Sequence, residues 1–133
     1  MLRSRSLPLA VLLSLVVAPL ALAAAGPQLQ AFFSPELKSA AYQQGVYARV
    51  AGKWKQPGKK GLPAVGGKTV VQAVLGRDGK LLSAVVTTES GSKSWDAAAL
   101  SAVQKAAPFA PLPKDYPLAT LDAHFHVAWV SSP

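Results

Sequence analysis

Two kinds of periodicity run along this chain. Thr69-Val70-Val71-Gln72-Ala73-Val74-Leu75 is a β-branched run in which Val71, Ala73 and Leu75 share one face and Val70, Gln72 and Val74 the other, the pattern of a strand. Leu81 to Thr88 returns as the second strand. Between them Asp78-Gly79 predicts a tight hairpin, because glycine tolerates the positive φ such a turn demands. Leu118 to Val130 predicts a last strand, with Leu121, Ala123, Phe125, Val127 and Trp129 alternating with Asp122, His124, His126 and Ala128. Helical spacing appears twice. Val46, Val50 and Trp54 stand at i, i+4 and i+8, with Tyr42 and Tyr47 beside them. Ser34-Pro35-Glu36 reads as the start of that helix, Lys55 as its approximate end, and Pro57-Gly58 as its stop. Trp95-Asp96 opens a second helix, capped by Ser94 or Asp96; Ala99, Leu100, Val103 and Ala107 form its narrow apolar side, and Pro108, Pro111 and Pro113 prevent its continuation.

The order is helix, strand, strand, helix, strand. It predicts an α+β two-layer sandwich: a three-stranded antiparallel sheet with two helices on one face. Val46, Val50, Trp54, Leu100, Val103, Phe125 and Trp129 are the expected core. Residues 26–34 read as a short polar-apolar lead, and residues 35–133 as the single domain that 133 residues allow.

The first 25 residues are of another kind. Arg3 and Arg5 precede the apolar run Leu9 to Ala18, Pro19 interrupts it, and Ala21, Ala23, Ala24 and Ala25 supply small residues. This is the pattern of a secretory signal peptide, with cleavage expected after Ala23 or Ala25. The alternative is an uncleaved membrane anchor, since Leu7 to Ala25 is 19 residues without a charge. The expected location is outside the cytoplasm, or anchored in the membrane if the segment stays. Contact with a membrane is expected only in the second case.

Composition narrows the chemistry. The chain has 14 Lys and Arg against 6 Asp and Glu, a net charge of +8, and loss of Arg3 and Arg5 leaves 12 against 6. Export turns this balance away from nucleic acid and toward anionic envelope partners or lipid head groups. With no cysteine, disulfides, thiolate metal sites and a cysteine nucleophile are all excluded. His124 and His126 share a strand face, but a metal site needs further ligands, and only dispersed carboxylates such as Asp122 are at hand. No metal and no cofactor are expected. There is no G-x-S-x-G elbow, no phosphate-binding glycine loop and no carboxylate pair, so the chain does not read as an enzyme.

What remains is a strand edge. Leu121, Asp122, Ala123, His124, Phe125, His126, Val127, Ala128 and Trp129 are expected to form an edge strand whose free N–H and C=O groups accept a partner's strand. Self-association through the same edge, giving a homodimer, is the other outcome of an open edge.

From Tyr47 to Trp129 the chain resembles the TonB/TolA C-terminal domain family of bacterial envelope proteins. The resemblance rests on an ordered set: Tyr47, Val50, Trp54 and Pro57; Val70 to Leu75; Asp78-Gly79-Lys80-Leu81; Ser90-Gly91; Asp96, Ala98-Ala99-Leu100 and Ala102-Val103; Ala106-Ala107-Pro108-Phe109; Pro111-Leu112-Pro113; and a closing Phe125 and Trp129. It implies a non-catalytic periplasmic module that captures an envelope protein or extended peptide, such as an outer-membrane receptor or a Tol-Pal-like component, by strand addition. An alternative within the resemblance is an inner-membrane-anchored energy transducer component for outer-membrane transport. Full-length transducers carry a long spacer. Here fewer than ten residues separate the expected cleavage site from the first expected helix, a reach of at most about 35 Å.

Overall fold

The computed structural model describes residues 24–132. The expected signal peptide of residues 1–25 therefore lies almost wholly outside the described residues. The elements are β1 (Ala25–Phe33), α1 (Ala40–Lys53), a 3₁₀ turn (Lys59–Gly61), β2 (Lys68–Gly76), β3 (Leu81–Thr88), α2 (Lys93–Ala106) and β4 (Thr120–Ser131). They form an antiparallel sheet in the order β1-β4-β2-β3, with both helices packed into one core.

The α+β class and the two helices are as expected, but among the described residues the sheet has four strands and not three. The extra strand is the segment read as a lead. Its alternation is real: Leu29, Ala31 and Phe33 pack on the core while Gln28, Gln30 and Phe32 face solvent. Gly26 and Pro27 at its start give it the look of a loop. Proline is tolerated there because an edge strand has one side free of ladder bonds.

This strand overturns the placement of the final one. β1 pairs with β4 from Ala25↔Ser131 to Phe33↔Ala123, and β2 pairs with β4 on its other side from Lys68↔Ala128 to Gly76↔Thr120. Leu121 to Trp129 is thus an interior strand with a neighbour on each flank, not an edge. Its alternation survives: Leu121, Ala123, Phe125 and Val127 are buried, as are Val71, Ala73 and Leu75 of β2 beside them.

The helices differ from expectation at their starts. Ser39, not Ser34, caps α1 by accepting from the Tyr42 N–H at 3.1 Å, and Ser34 instead donates its N–H to the Asp122 carbonyl at the end of β1. Ser92 caps α2, accepting from the Trp95 N–H at 3.2 Å. One turn of helix therefore precedes Asp96, and Trp95 goes inward. It is fully buried, donates its indole N–H to the Val127 carbonyl at 3.0 Å, and meets Trp54 and Trp129 edge-on at 4.8 and 5.7 Å. Val46, Val50, Val103 and Phe125 are core as expected, and Trp54, Leu100 and Trp129 pack against it partly exposed.

Candidate protein-interaction edge

With β4 enclosed, the sheet of the described residues ends at β1 on one side and β3 on the other. The two edges differ in chemistry. β1 carries Pro27, which removes a donor. β3 reads Leu-Leu-Ser-Ala-Val-Val-Thr-Thr, without a charge or a proline over eight residues, and exposes Leu82 (59 %) and Val85 (49 %). Proteins protect edges with lysine, proline and bulges. Here the register shifts at both ends of the β2–β3 pairing, but Val71↔Val86, Gln72↔Val85, Ala73↔Ala84 and Val74↔Ser83 run unbroken between them. The central part of β3 is a regular, uncharged edge.

Both ends of this strand are fixed by the rest of the fold. At its start, Asp78 accepts from the Lys80 N–H at 3.0 Å, and Gly79 adopts φ +87°. The exit from α2 closes on this hairpin. Phe109 donates its N–H to the Gly79 carbonyl and Leu112 donates to the Arg77 carbonyl, each at 2.9 Å. Arg77 reaches across to the carbonyls of Tyr116 and Leu118 at 2.8 Å and of Pro113 at 3.0 Å. A Cβ on Gly79 would sit 2.1 Å from the Phe109 carbonyl oxygen. The Asp-Gly pair and the proline-spaced exit are thus two halves of one joint. The guanidinium, an acceptor-seeking fork, satisfies three carbonyls of a segment that has no ladder of its own. At the other end of β3, Asp96 accepts from the Thr69 hydroxyl at 2.5 Å and from the Ser90 N–H at 2.9 Å, tying the β3–α2 turn to the start of β2.

The other expected groups are more loosely placed. His124 and Asp122 are exposed, and His126 is half-buried, edge-on to Phe32 at 4.7 Å. Burial, then Lys68, then His124 hold the His126 imidazole below its ordinary value. Among the described residues no three His, Asp or Glu come together in a way that could hold a metal ion. A cavity of about 160 Å³ lies under β1, lined among others by Pro27, Leu29, Tyr47 and Trp54; the buried Trp54 indole N–H has no partner among the described residues. No described helix is long and apolar enough to cross a membrane.

The arrangement defines a small α+β domain with a two-helix layer on one sheet face and a fixed, uncharged strand at one edge. The chain belongs to the TonB C-terminal family: the family model described as TonB C terminal matches residues 39–125. The solution structure of the Helicobacter pylori TonB C-terminal domain is similar at 19 % identity and a TM-score of 0.50, over 72 % of this chain and 85 % of that one. At that identity the likeness concerns the fold. No curated protein matches the chain. The hairpin, the α2 stripe and the proline exit all lie inside the matched span, whereas β1 lies outside it.

Proposed function

We propose that this domain is a non-catalytic, periplasmic protein-binding module that captures an envelope protein or extended peptide by strand addition at β3. Membership of the TonB C-terminal family supports an envelope interaction module. The observation that carries the choice of edge is β3 itself, eight residues without charge or proline, held at both ends by the Arg77–Gly79–Phe109 joint and by Asp96. An edge already in its bound shape spends little conformational entropy on pairing. The basic N-terminal run and its small-residue end support export.

The test is photocrosslinking in intact envelopes from a reactive residue at Val85, compared with one at Gln30 on β1. Adducts from position 85 and none from position 30 are expected. Adducts confined to position 30 would move recognition to β1 and overturn the assignment. Fractionation of the same cells separates the free adaptor, found in the periplasmic extract, from an anchored transducer component, found with the inner membrane.

A further inference from the structure

The acids of the folded chain are unevenly spread: four of the six stand away from one pole, among Lys38, Arg77, Lys80, Lys105 and Lys114. Where β1 begins and β4 ends, six exposed lysines gather: Lys53 at the end of α1, Lys55, Lys59 and Lys60 in the loop after it, Lys68 at the start of β2 and Lys93 at the start of α2. The fold itself draws them together. The Ser92 hydroxyl donates to the Gly61 carbonyl at 2.7 Å, joining the lysine loop to the head of α2. Gly66 and Gly67 pair with Trp129, bringing the next loop alongside the end of β4. None of the six is in an ion pair among the described residues. Two acids lie at this pole: Glu89, and Asp96, whose carboxylate is occupied by Thr69 and Ser90. The other four acids, Glu36, Asp78, Asp115 and Asp122, are all at the far pole or near it, beside the hairpin and the exit loop.

Two further observations say what such a pole faces. Ser132 donates its N–H to the Ala24 carbonyl at 2.9 Å, so the point where the uncharged run Leu7–Ala25 meets the fold is at the lysine pole. Val65, 60 % exposed, stands on the loop between the 3₁₀ turn and β2 at the same pole, an apolar tip on the segment that runs from Lys60 to Lys68. Lysines beside an apolar tip suit the boundary between phosphate head groups and acyl chains.

We propose that the lysine pole docks on an anionic phospholipid surface. The inference is independent of the β3 reading. β3 lies along the side of the molecule, so docking by this pole leaves that edge open to a partner.

Among the described residues the core and its packed neighbours lie between Leu29 and Trp129, so residues 24–133 carry all of them into the test. Its sedimentation is measured with vesicles of phosphatidylcholine alone and of phosphatidylcholine with one third phosphatidylglycerol. Binding to the anionic vesicles only, weakened by salt, is expected. The variant K55E/K59E/K60E/K93E is compared with K38E/K80E/K105E/K114E, which changes net charge equally at sites away from that pole. The first should lose on the order of tenfold or more in affinity and the second under about threefold. Equal losses, or no preference for anionic vesicles, would overturn the proposal, as would retention on duplex DNA without vesicle binding. Acetylation footprinting of the unmodified sequence gives a readout free of substitutions. Vesicles should protect Lys55, Lys59, Lys60 and Lys93 and leave Lys38, Lys80 and Lys114 reactive; uniform labelling would contradict docking by this pole.

Discussion

Gly79 carries more of the fold than its size suggests. Its φ of +87° excludes most side chains, and the Phe109 carbonyl fills the space a Cβ would need. Gly79→Ala should cost about 3 kcal/mol or more, read as a shift in the urea midpoint. A change under about 1 kcal/mol would mean that the joint with Phe109 is loose. Trp95 is the other anchor: Trp95→Phe keeps most of the volume but loses the bond to the Val127 carbonyl, at a cost of about 1–3 kcal/mol. His126 sets a pH dependence. Its folded-state value lies below the ordinary value of about 6.5, so the unfolded chain binds the proton more readily. The contribution of the neutral imidazole is complete above that value and is lost as pH falls toward the folded one. Comparing urea midpoints at pH 7.5 and 5 should show a fall in the unmodified protein that is smaller in His126→Gln; equal falls would assign the effect elsewhere.

At the scale of elements, strength of pattern decided what could be read. β2 follows from its β-branched run, the core face of β4 from its alternation, and the hairpin with β3 from Asp78-Gly79, because each rests on local chemistry that tertiary context reinforces. Helix starts were less legible. Ser34, Ser39, Ser92 and Ser94 are all competent caps, and only the path of the chain selects Ser39 and Ser92. β1 was hidden by Gly26-Pro27 and by its weak alternation of glutamine with leucine and alanine. Missing it also misplaced the recognition edge, since a three-stranded sheet leaves Leu121–Trp129 exposed. The consequence is testable. A chain beginning at Ser34 should melt at least about 10 °C lower and self-associate in sedimentation, because removal of β1 bares one side of β4. An unchanged, monomeric domain would show that β1 contributes nothing to closure.

At the scale of the whole molecule, the parts divide the work. The helical layer and β4 form the core, and the joint at Gly79 and the Asp96 tie hold β3 taut. The lysine pole faces away from the hairpin end, where acids and cations are mixed and Asp78 pairs with Lys80. Asp78-Gly79 with Phe109 and the prolines after it, all inside the span that matches the family, are structural rather than recognitive: they fix one end of β3. The central claim is recognition by the β3 backbone, and paired proline substitutions at Ala84 and Val85 test it most directly. Successive N–H groups along a strand point to opposite sides, so one proline removes an outward donor and leaves the fold intact, while the other breaks the ladder to β2. In the folded variant of the pair, the crosslinked envelope complex formed from the start or end of β3 should disappear while thermal unfolding stays cooperative. A folded variant that still forms the complex in full would contradict strand addition at β3.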